Sequence, residues 1–104
     1  MKQIKELVEN IRDEISGAEK YAKGATQYKD TDRMLAETYA KMADAELGHV
    51  DVLHSQVVRI IREYKEQSKS EAPASMQAIW DWEHEHMIDS IARIKQLLSM
   101  YRAS

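Results

Sequence analysis

The sequence contains no cysteine, one proline and three glycines in 104 residues. The lack of cysteine excludes a disulfide scaffold, thiolate zinc sites, iron–sulfur clusters and a thiol nucleophile. So little glycine and proline excludes a turn-rich β-sandwich, a collagen-like repeat and a Gly/Ser linker. No apolar run approaches the ~18–20 residues of a membrane span. Met1–Leu7 is charged and amphipathic, without the apolar core of a signal peptide. The net charge of −3 comes from interspersed acidic and basic residues, so no basic stripe is available for a nucleic-acid backbone. The expectation is a soluble cytoplasmic chain, or one held in a protein compartment, with neither membrane nor nucleic acid as partner. At 12.1 kDa the chain, residues 1–104, suits a single domain. A domain this small buries only about two-thirds of its unfolded surface, so a homo-oligomer, dimer or higher, is expected.

What the sequence does contain is helical periodicity. Ile4, Leu7, Ile11, Ala18, Tyr21 and Ala25 recur at spacings of three and four, with Ile15 and Ala22 beside them. They predict a first helix over about residues 2–28. The pattern breaks at Tyr28–Asp32, where Asp30 or Thr31 can cap a new helix. A second helix is predicted over about 32–67. One of its rows reads Leu35, Tyr39, Met42, Glu46, His49, Leu53, Gln56, Ile60. The neighbouring row reads Ala43, Leu47, Val50, His54, Val57, Ile61. The polar stretch Gln67–Ser75 holds the only proline and reads as a connector, with Pro73 suited to the first turn of the next helix. A third helix is predicted over about 74–102, with the stripe Ile79, Trp80, Glu83, Met87, Ile91, Ile94, Leu98 and Tyr101. No strand pattern competes, and the fold class is all-α: an antiparallel hairpin plus a third helix.

Three polar residues violate the apolar pattern. Glu14 lies in the row Leu7, Ile11, Ala18, Tyr21, and Glu46 and His49 occupy successive positions between Met42 and Leu53. A buried carboxylate is neutralised, paired or metal-bound. Glu14 precedes Asp30 by 16 residues and Glu46 follows it by 16. In a hairpin turning near Asp30 the two stand at one height, because both helices rise about 1.5 Å per residue. His49 is one turn from Glu46 on the same face. Carboxylates with an imidazole suit iron, manganese or zinc. Glu19, on the edge of this row, is a weaker candidate ligand, a flank or outer-sphere carboxylate. His54 lies off the His49 face and reads as structural. Trp80 and Trp82 face different sides, one for the core and one for an interface. No Ser–His–Asp grouping and no glycine-rich phosphate loop are present, so any chemistry is metal chemistry.

Glu14 with Tyr21 seven residues on, followed by Glu46-Leu-Gly-His49 in the next helix, resembles the ferritin-like superfamily, in particular its rubrerythrin-like and short encapsulated-ferritin branches. The similarity covers about residues 7–58. It implies that Glu14, Glu46 and His49 form half of a dinuclear metal site, most simply di-iron, with Fe(II) oxidation by O₂ or peroxide as the associated chemistry. Full-length relatives of that kind supply a second Glu and Glu-x-x-His. Here Glu83-x-x-His86 repeats the motif, and both residues are second-rank ligand candidates. If the third helix turned back near Glu71, however, Glu83 would stand beside Arg59, roughly 20 Å from Glu46. A simpler completion pairs two hairpins about a two-fold axis, as the short encapsulated ferritins do. That closes the bundle by oligomerisation and admits an encapsulating shell protein as partner. The competing expectation is a helical assembly module that binds no metal, whose inward polar groups set the register between subunits.

Overall fold

The computed structural model describes residues 2–68 and 74–103. Three helices account for nearly all of them: α1 (Lys2–Tyr28), α2 (Arg33–Ser68) and α3 (Ala74–Ala103). No strand occurs among the described residues. Of the expected connector Gln67–Ser75, Gln67 and Ser68 belong to α2 and Ala74 and Ser75 to α3, and the rest, with Pro73, lies outside the described residues. The molecule is a rod of 57 × 18 × 18 Å, in keeping with the length of a 36-residue helix at about 1.5 Å per residue.

The turn between α1 and α2 is tight. The backbone N–H groups of Thr31 and Asp32 both donate to the Tyr28 carbonyl, at 3.3 and 2.9 Å. This uses up residues 29–31, so neither Asp30 nor Thr31 is the cap. Asp32 takes that role: its Oδ1 accepts from Leu35 N–H at 3.1 Å, and its carbonyl accepts the first helical bond from Ala36.

The two rows of α2 divide between core and surface. Ala43, Val50, Val57 and Ile61 are buried, whereas Met42 and His49 are exposed and Leu35, Tyr39, Glu46, Leu53 and Ile60 are half-buried. The core therefore runs along the second row, and the row with Glu46 and His49 borders the open face of the hairpin. The core also changes character along the rod. Away from the hairpin turn, Ile4, Val8, Ile11, Val50, Val57 and Ile61 pack with Trp80 and Met87 of α3. Towards the turn, six alanines (Ala18, Ala22, Ala25, Ala36, Ala40, Ala43) pack with Ile94, Leu98 and Tyr101. Small side chains there let α1 and α2 approach closely. Ile15 touches both clusters, which puts neighbouring Glu14 at the boundary between them.

α3 packs chiefly on α1 and only lightly on α2. Lys29 Nζ donates to the Tyr101 carbonyl at 2.9 Å, and Arg102 pairs with Asp44, pinning its C-terminal end beside the turn. At the other end, His84 stacks on His54 with ring centroids 5.2 Å apart, and Trp80 packs against both. The expected placement of Glu83 beside Arg59 is therefore wrong. Its neighbour His84 meets His54, four to five residues (about 6–8 Å) nearer the Glu46 level. Arg59 instead bonds Gln56 and Glu63 within α2. The stripe assigned to α3 is buried at Trp80, Glu83, Met87, Ile94, Leu98 and Tyr101, but Ile79 is exposed. Of the two tryptophans, Trp80 is core and Trp82 lies on the surface.

Candidate metal centre

Glu14, Glu46 and His49 meet at mid-height of the hairpin. Each offers one ligand atom, and the three atoms lie within 4.8 Å of one another. This is the one such group of His, Asp and Glu among the described residues. His49 Nδ1 stands 3.3 Å from Glu14 Oε2, a contact that leaves Nε2 for another partner. The matched heights of Glu14 and Glu46 follow from the hairpin turn, and the i, i+3 spacing stacks His49 beneath Glu46.

The two carboxyls act on each other electrically. A hydrogen bond from Glu46 holds Glu14 below the ordinary carboxylate range, against the desolvation that opposes it and with help from His49. Glu46 is pushed above that range, first by its hydrogen bond to Glu14, then by desolvation and by the Glu14 charge. The pair thus favours sharing one proton over carrying two negative charges. A cation between the carboxylates would relieve the same repulsion.

The site is less enclosed than the apolar pattern of its rows implies. Glu14 is half-buried and the His49 side chain is 58% exposed, so a single chain does not screen the group from water. The physical reason is that α3 packs over Val8, Ile11 and Ala18 of α1, which leaves the Glu46 row of α2 only partly covered.

The second-rank candidates lie elsewhere. Glu83 is buried and held by Arg12, whose Nε donates to its Oε2 at 3.0 Å. His86 turns its Nδ1 to the Trp82 carbonyl at 2.9 Å and lays its ring against Trp82. Glu19 pairs with Lys23 at 2.9 Å and lines a surface hollow with Arg93 and Leu97 of α3. None of the three joins Glu14, Glu46 and His49 within one chain. Tyr21 does not bond the trio either. It begins a run of rings in which Tyr39 stacks on both Tyr21 and Tyr28, with centroids 5.9 and 6.1 Å apart.

Two residues beside these groups escaped the sequence reading, Gly17 and Gly24. A Cβ on Gly17 would come within 3.2 Å of Glu46 Oε2, and one on Gly24 within 2.9 Å of the Tyr39 ring. The available signal was their place in the interior of a helix, where glycine is disfavoured without a packing reason.

Comparison with protein-family models, with curated proteins and with solved structures returned no match.

Proposed function

We propose that this chain binds a pair of metal ions, most simply iron, through Glu14, Glu46 and His49, and that a second copy of the chain completes the site. The observation that carries this reading is the convergence of two carboxylates and an imidazole within 4.8 Å from two helices. The donor set fits the group: oxygen and imidazole ligands suit iron, manganese or zinc, and the two carboxyls already contend for one positive charge. Glu14 and Glu46 would hold or bridge the ions, and His49 would supply the nitrogen ligand. Iron bound there would supply Fe(II) oxidation by O₂ or peroxide, the ferroxidase-type activity of ferritin-like proteins.

The open face supports the second copy. Beside the trio run Leu35, Tyr39, Leu53 and Ile60 of α2 and Leu7, Tyr21 and Tyr28 of α1, all half-buried. Pairing this face with itself about a two-fold axis brings together two copies of each ligand and removes them from water. It would also assemble the four-helix arrangement around the site that a single hairpin lacks. The same face carries the second reading, an assembly module whose polar trio sets the register without metal. Metal content separates the two. Protein purified without chelator is expected to retain iron and lose it on Glu46→Ala. Oligomeric mass is expected to rise when Fe(II) is added. Equal metal content in both proteins, with a mass indifferent to Fe(II), favours the assembly module.

A further inference from the structure

α1 carries two notches one heptad apart. Gly17 faces Glu46 and Gly24 faces Tyr39, each pair separated by seven residues along both helices. In the first notch an added Cβ would stand 3.2 Å from Glu46 Oε2, 3.5 Å from its Cδ and 3.7 Å from its Cγ. Gly17 is also three residues from Glu14, on the same face of α1. The Glu46 carboxyl therefore lies across the surface that Glu14 and Gly17 form. Glycine is a poor helix residue, and two in a 27-residue helix weaken it. The nearby Gly48, by contrast, faces open space.

We infer that Gly17 is a positioning residue of the metal site: its missing side chain gives the Glu46 carboxylate the depth to lie against α1 within reach of Glu14 and His49. The inference rests on the metal-binding reading above. A methyl group at position 17 displaces the carboxylate outward by a few tenths of an ångström, comparable with the ±0.2 Å tolerance of metal–ligand distances. The half-exposed Glu46 side chain can yield, so the fold survives while the ligand geometry does not.

The test compares Gly17→Ala with Gly48→Ala by anaerobic titration with Fe(II) alone, with thermal melting measured in parallel. Both substitutions improve helix propensity. Gly48→Ala is expected to melt higher than wild type and to bind Fe(II) as wild type does. Gly17→Ala is expected to remain folded, melting no lower than wild type, and to bind Fe(II) about 10-fold or more weakly, the scale seen when the surroundings of metal ligands are altered. A purely structural glycine would change melting and leave affinity alone. Fe(II) affinity of Gly17→Ala within twofold of Gly48→Ala overturns the inference and leaves the metal reading standing. A wild-type protein that takes up no Fe(II) overturns both.

Discussion

Arg12 of α1 and Glu83 of α3 form a charged pair, Arg12 Nε donating to Glu83 Oε2 at 3.0 Å, with the Glu83 side chain 10% exposed and Arg12 reaching solvent. The pair sets the register of α3 on α1 and takes Glu83 out of the set of available metal ligands. Arg12→Ala leaves a buried carboxylate without its partner, which costs about 1–3 kcal/mol. The expected result is a lower denaturation midpoint with Fe(II) binding retained. Glu83→Gln is expected to bind Fe(II) like wild type, and loss of binding in that variant would return Glu83 to the ligand set.

The second glycine notch yields a stability prediction of opposite sign to an ordinary helix substitution. At Gly24 a Cβ would meet the Tyr39 ring at 2.9–3.2 Å, and the ring is held between Tyr21 and Tyr28. Gly24→Ala is expected to destabilise by about 1–3 kcal/mol, the usual cost of overpacking. Gly48→Ala is expected to stabilise by about 0.5–1 kcal/mol. Urea denaturation of the two variants checks the contrast, and equal shifts would mean that the Tyr39 ring moves aside freely.

Acid sensitivity should trace to the α2–α3 contact. Burial pushes the His54 imidazole below its ordinary value and His84 adds to this, while Asp51 pulls the other way. The unfolded chain therefore takes up a proton at a pH where folded His54 does not. Stability is fully present above the unfolded value of about 6.5 and falls as pH drops through it towards the folded value. Melting temperatures between pH 8 and 5 are expected to decline below about 6.5. The decline should be shallower in His54→Gln, and an unchanged slope would assign it to other groups.

Metal binding should release protons. The Glu46 carboxyl titrates above the ordinary range, first because of its hydrogen bond to Glu14, and below that titration a cation must displace its proton. Fe(II) affinity is expected to rise with pH through the Glu46 titration and then level off. Calorimetry in two buffers of different ionisation enthalpy reads the released proton directly. Without metal the two carboxyls act on stability in opposite directions, each in its own pH window. Raised Glu46 contributes below the ordinary carboxylate value, a contribution lost as pH rises through its folded value. Lowered Glu14 contributes above the ordinary value, a contribution lost as pH falls through its own. Together they are expected to give a stability maximum near the ordinary carboxylate value, falling on either side of it.

Much of this geometry was legible in the sequence, because it depends on local period and on one turn. The three- and four-residue spacing of Ile4, Leu7 and Ile11 defines α1. The equal separations of Glu14 and Glu46 from Asp30 place them at one height without knowledge of anything beyond the hairpin. The register of α3 was not legible in the same way. It depends on Arg12–Glu83, on the His54–His84 stack and on Lys29 reaching Tyr101, all long-range contacts with no local signature. The exposure of the site was hidden for the same reason. Which row of α2 becomes core depends on where α3 docks, and α3 chose the Ala43–Val50–Val57 side. The notches at Gly17 and Gly24 required knowing which α2 side chain stands opposite each glycine.

Metal binding by Glu14, Glu46 and His49 is the proposal on which the Fe(II) expectations rest. Its most direct test is an anaerobic titration with Fe(II) followed in the near-UV on admission of O₂, for wild type and Glu46→Ala. Wild type is expected to show saturable Fe(II) uptake and a near-UV absorbance rise, with both lost in Glu46→Ala while helicity is retained. Identical traces for the two folded proteins would contradict the proposal.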